Sequence, residues 1–157
     1  MIPRWIILLL VIPILLSAQT APPARPEEEG IKKLVDSFVD AWNQHDVHAF
    51  AATFAEDADF TNVVGAGAHG RAAVEEFHAP VFTTVFKNSH LTVNNVQIRF
   101  LTPDVASVDV HWEMTGAVGS DGIPIPLRQG LLNWIVTRQE GRWLILIMHN
   151  QNLPPRK

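Results

Sequence analysis

The chain has 157 residues, 12 basic against 16 acidic for a net charge of −4, and neither cysteine nor tyrosine. With no basic cluster, nucleic acid is not an expected partner. The absence of thiols excludes disulfides, a lipid-modified cysteine anchor, thiolate zinc ligands and thiol catalysis together.

At the start, Arg4 precedes an apolar run from Ile6 to Leu16, IILLLVIPILL, and then Ser17, Ala18 and Gln19. That is the order of an export signal, so residues 1–18 read as a signal peptide cleaved after Ala18, although Leu16 is bulkier than usual at its position. The rival reading is a retained anchor, but the run falls short of the roughly 18–20 residues that cross a bilayer. Export to the periplasm or medium, with no stable membrane anchor after cleavage, is the expectation. Residues 19–26, QTAPPARP, form a Pro- and Ala-rich linker. Residues 27–153 then make one ordinary domain of about 125 residues, long enough to bury its own core.

Glu27, Glu28 and Glu29 suit the positive end of a first helix, whose buried stripe is Ile31, Leu34, Val35, Phe38, Ala41 and Trp42. Asp46 stands where the N-cap of a second helix belongs, with Val47, Phe50, Ala51 and Phe54 on its apolar face. The period then drops to 2: Ala58, Phe60 and Asn62 alternate with Asp59, Thr61 and Val63, predicting a strand with Asn62 turned inward. The Gly-rich VVGAGAHG reads as a turn. Arg71–Phe86 reads as a third helix with Val74, Phe77, Val81 and Val85 on its main apolar face, kinked or split by Pro80. Glu75, His78 and Phe82 form an adjacent stripe.

Everything downstream alternates. In LTVNNVQIRFL the apolar phase slips at Asn94–Asn95, which predicts a β-bulge. Ala106, Val108, Val110, Trp112 and Met114 share one face of the next strand; Ser107, Asp109, His111, Glu113 and Thr115 share the other. A third long strand spans Leu127–Arg138, Glu140–Gly141 turns the chain, and Arg142–Asn152 is the last strand. Helices first and bent antiparallel strands afterwards predict an α+β domain with a cone-shaped cavity for a small molecule.

DAWNQHDVHAFAATFAEDADFTNVVG, the HGR at His69–Arg71, FLTPDVASVDVHW and GRWLILIMHNQN resemble the NTF2-like superfamily. Within it the likeness is to SnoaL-like proteins and the SgcJ/EcaC group, often labelled oxidoreductases, and it covers about four-fifths of the chain. The resemblance implies an NTF2-like cone, three N-terminal helices on a strongly bent antiparallel sheet. It also implies a histidine on the third helix directed to the cavity, matching His78, and a His-Asn pair, matching His149 and Asn150. Trp42 and Trp112 match pocket-lining aromatic positions, and the outer sheet face is one through which similar proteins form homodimers.

His78 and His149 are the candidate catalytic residues, as acid or base near neutral pH. Each has a structural alternative: His149 as a sheet-edge cap, His78 as a border of the core. Trp42, Asn62, Phe82, Trp112, Arg128 and Asn150 are the candidate ligand-binding residues. Trp42 and Trp112 alternatively pack as core, and Arg128 either holds an anionic ligand group or pairs with a carboxylate. His45, Asp46 and His48 bunch together, but Asp46 has a capping task, and no metal is expected. There is no dinucleotide fingerprint and no P-loop, so no cofactor is expected. Without tyrosine, the tyrosine-donor sites of ketosteroid isomerases and scytalone dehydratases cannot be reproduced. Two functions remain open: capture of a small apolar or aromatic molecule with cofactor-free acid–base chemistry, isomerase- or cyclase-like, or a non-catalytic binding or dimerising module.

Overall fold

A computed structural model describes residues 26–154. The expected signal peptide and the linker up to Arg25 lie outside the described residues. Pro26, assigned to the linker from sequence, is instead the first residue of helix α1 (Pro26–Gln44). Proline is suited there, because a first-turn N–H has no helical partner to lose. Lys32 pairs with Glu28 and Glu29 at 3.3 and 3.2 Å on the exposed side. At the other end His45 takes a left-handed conformation (φ 55°) while its N–H bonds Trp42 O and the Asp46 N–H bonds Ala41 O. These two bonds are a Schellman closure, and they turn the chain directly into α2 (Val47–Ala51). Asp46 caps α2 by accepting from the Ala49 N–H at 2.9 Å.

Helix α2 is shorter than its apolar pattern suggests. Phe54, expected on its face, already belongs to strand β1 (Phe54–Thr61). The Gly-rich segment expected to be only a turn contains a short strand, β2 (Gly67–His69), which pairs antiparallel with β1. Helix α3 (Arg71–Thr83) runs through Pro80 and stops three residues before the expected end. Thr83 and Thr84 hydroxyls donate to Pro80 O at 3.0 and 2.7 Å near that terminus. Its buried stripe is Val74, His78 and Phe82, not the Val74–Phe77–Val81–Val85 face that the period favoured.

Strands β3 (His90–Thr102), β4 (Val105–Thr115), β5 (Arg128–Gln139) and β6 (Arg142–Asn152) form an antiparallel meander. The sheet order is β2-β1-β6-β5-β4-β3, and β1 lies parallel to β6. The sheet is therefore mixed, where an antiparallel one was expected. It curls without closing, since its edge strands β2 and β3 do not meet. Register shifts occur between Val93 and Asn95, as the sequence predicts, and again near Ile135, Phe54 and Phe100. Each adds local twist and coils the sheet around the helices.

The concave face holds the core. Ala106, Val108, Val110, Trp112 and Met114 of β4 are buried there against Leu132, Trp134 and Val136 of β5 and against α1. Phe38 of α1 meets Trp134 with centroids 5.0 Å apart. The free edge of β3 is clamped: the Asn43 side chain donates to Leu91 O at 2.9 Å and accepts from Leu91 N at 2.7 Å. That pairing occupies one residue's worth of an otherwise open strand edge.

Candidate functional site

The core does not fill the whole cone. Where β1 and β6 end and β5 begins, a cavity of about 230 Å³ remains beneath α3. Its walls come from Phe60 of β1, Phe77 and Val81 of α3, Trp112 and Met114 of β4 and Met148 of β6, and they are mostly apolar. The polar lining residues are Asn62, His78, Arg128 and Asn150.

His78 is buried, 4% exposed, in a cage of aromatic rings. Its imidazole lies 4.6 Å from Phe50, 4.8 Å from Phe60 and 5.3 Å from Phe77, centroid to centroid. Nδ1 is 2.8 Å from Val74 O one helical turn earlier. A carbonyl only accepts, so Nδ1 carries the hydrogen and Nε2 holds the free lone pair. Burial among rings that cannot solvate a cation pushes the imidazolium pKa down to about 4, with the Val74 bond opposing this weakly. At neutral pH His78 is therefore an uncharged acceptor of fixed tautomer.

Asn150 accepts from the Trp112 indole N–H at 3.1 Å, which locks both side chains in the wall. Trp42 donates its own N–H to the buried Ser89 hydroxyl at 3.1 Å and presents its ring to the cavity. Both tryptophans thus serve as core and as lining, because each stands at the boundary between them. Arg128 is half-buried at the mouth. Its Nη2 donates to Asn152 Oδ1 at 3.0 Å, and its guanidinium carbon lies 5.5 Å from the Trp112 ring centroid and 5.9 Å from that of Phe86. Partial burial lowers its pKa from the ordinary value, but a guanidinium stays charged.

Three expected site residues sit differently. His149 does not share the cavity with Asn150. Successive strand residues face opposite ways, so Met148 and Asn150 line the cavity while His149 is exposed on the outer face, in a shallow depression beside Asp59 and His69. Phe82 is 3% exposed and lies behind the wall, packed on Trp42 at 4.9 Å. Asn62 lines the mouth beyond the end of β1, but its Oδ1 accepts from Val64 N and Ala66 N at 3.0 and 2.9 Å, folding the β1–β2 turn. Met114 and Met148 were missed as lining residues. Their parity with Trp112 and Asn150 was the available signal.

The residues bunched near α2 separate. His45 donates from Nε2 to Phe86 O at 2.7 Å, Asp46 caps α2, and His48 faces Glu75 at 3.4 Å. Among the described residues no group of three or more histidine or acidic side chains is disposed to hold a metal ion.

The family model of the SnoaL-like domain matches residues 35–144. An uncharacterized protein with a cystatin-like fold from Caulobacter vibrioides is similar in structure, with TM-score 0.75 and 27% identity, covering 81% of this chain and 89% of that one. A cystatin-like domain of unknown function from Nostoc punctiforme is similar with TM-score 0.72 and 27% identity, over 84% and 80% of the two chains. A ketosteroid isomerase-like protein from Erwinia carotovora atroseptica shares the fold at TM-score 0.70 and 18% identity, over 84% of this chain and 100% of that one. No curated protein matches the sequence significantly.

Proposed function

The chain belongs to the SnoaL-like domain family, and from that membership we propose that it captures a small, largely apolar or aromatic molecule in the cavity beneath α3. The observation that carries this reading is the pairing of an aromatic-walled cavity with one neutral acceptor, His78 Nε2, whose tautomer is set by Val74. An apolar body gains by leaving water, and a hydroxyl or N–H directed at Nε2 fixes its orientation.

A second reading is favoured by the same atom. A free Nε2 lone pair facing a bound molecule can take a proton from it without any cofactor. The low pKa makes His78 a weak base, and His149 is too remote in orientation to act as its partner acid. Binding is therefore the primary activity, with proton transfer following only for an acidic C–H or O–H delivered to Nε2. The expected export of the chain and its pairing through the outer sheet face remain part of this proposal. They are supported by the order of the leader and by the polar row in which Gln129 meets Glu113 at 2.8 Å and Asn133 meets Asp109 at 2.7 Å.

The test is calorimetric titration of 2-naphthol and indole into the protein. Saturable binding that disappears in Val81→Trp, which enlarges a wall residue of α3, is the expected result. Heat that does not saturate, or is unchanged in Val81→Trp, refutes capture at this site. Exchange of ligand protons with deuterated solvent, lost in His78→Gln, distinguishes turnover from binding.

A further inference from the structure

Among the described residues, Arg128 is the one charged side chain that lines the cavity; the other polar ones, Asn62, His78 and Asn150, are neutral. Among the described residues no carboxylate lies within ion-pair distance of it, while Arg71 and Arg138 each have one. Its neighbours are an amide oxygen, Asn152 Oδ1, and the faces of Trp112 and Phe86. Half-burying a cation with no counter-charge is unfavourable, and ring faces offset it only in part. The arrangement is also directional. The Asn152 contact uses one donor of the guanidinium fork, and the rest of the fork is left for a planar acceptor at the mouth.

We propose that the ligand is an organic monoanion, an aryl or short-chain carboxylate whose apolar body fills the cavity while its carboxylate sits on Arg128 at the mouth. This deepens the capture reading and rests on it. Bidentate pairing with a guanidinium is the strongest recognition of a carboxylate that a single side chain offers. His78 then serves a different part of the molecule. Neutral and buried in the wall, it accepts a hydrogen bond from the body and offers no charge that competes with Arg128 for the headgroup. The two groups together select a carboxylate at one end and a donor such as a phenol further in.

The experiment uses phenylacetate, 3-phenylpropionate and 4-phenylbutyrate, each beside its neutral primary amide, with binding to the purified protein measured calorimetrically. At least one acid is expected to bind about tenfold more tightly than its amide. In Arg128→Gln that preference disappears while the amide binds as before, and Arg128→Lys keeps part of it. Added salt weakens the acid and leaves the amide unchanged. If acids and amides bind the unaltered protein equally, or the preference survives Arg128→Gln, the carboxylate assignment is overturned while capture in the cavity stands. If neither acids nor amides bind while 2-naphthol does, the carboxylate assignment fails alone; if none of them binds, both readings fail.

Discussion

Acidification is expected to destabilise this protein through His78. The imidazole contacts Trp42 of α1, Phe50 of α2, Phe60 of β1 and Phe77 and Phe82 of α3. None of these titrates, so burial decides its protonation and pushes its pKa from 6.5 down to about 4. The sign follows from proton counting. Above pH 6.5 His78 is neutral in both states and costs nothing. Below that value the unfolded chain takes up a proton that the folded one refuses, so stability falls as pH falls and levels off below about pH 4. The loss attributable to this residue is about 2 kcal/mol at pH 5 and about 3 kcal/mol at pH 4. His78→Leu removes the titrating group and leaves an apolar side chain among aromatic rings. Val74 O keeps its place in the helix, so at pH 7.5 the variant is expected to lie within about 1 kcal/mol of the unaltered protein. Urea unfolding followed by tryptophan emission at half-unit steps from pH 8 to pH 4 gives both curves. The two are expected to diverge below pH 6.5 until the variant is the more stable by about 3 kcal/mol. Parallel curves would show that the folded imidazole takes up its proton at the same pH as in the unfolded chain, and would refute the burial that holds Nε2 as a neutral acceptor down to about pH 4.

Two further outcomes test the frame around the site. Asn43→Leu deletes both hydrogen bonds to the Leu91 backbone and is expected to cost about 2 kcal/mol. Amide exchange at Leu91 should accelerate beyond the global change; an unchanged rate would mean that α1 does not hold the β3 edge. Gly130 leaves room for the Trp112 indole, since a Cβ at that position would land on the ring and close on Gln151 O. Gly130→Ala is therefore expected to lose about 1–3 kcal/mol in urea unfolding and to shift the Trp112 emission. A stable variant with unaltered emission would contradict the tight packing of that wall.

The legible part of the site was local. Alternation along β4 identified the buried face from Ala106 to Met114, and the phase slip at Asn94–Asn95 located a bulge, because side-chain parity and its interruption are properties of one strand. The Asp46 cap, the Glu140–Gly141 turn and the lining positions of Trp42, Trp112, Arg128 and Asn150 were accessible for the same reason or through the family resemblance. His149 was misplaced because the sequence signal, a polar pair ending an apolar strand, did not respect that parity. Only one of two adjacent strand residues can enter a cavity, and the partners of β6 decide which. Phe82 and His78 share one buried stripe, as read, but only His78 lines the cavity, because Phe82 packs behind the wall against Trp42.

By itself the sequence determined the order of the three helices and the five longer strands, though not β2, and the absence of any thiol or phenol chemistry. Those follow from composition and from periods that repeat within about ten residues. The tertiary structure decided what lies far apart in the chain: that β1 runs parallel to β6, that α3 buries Val74, His78 and Phe82, and that Arg128 meets the cavity mouth with no carboxylate of the described residues beside it. Each of these is set by which surfaces meet after the sheet coils. The energy of such a meeting depends on neighbours supplied by other segments, so no one segment's pattern can carry it.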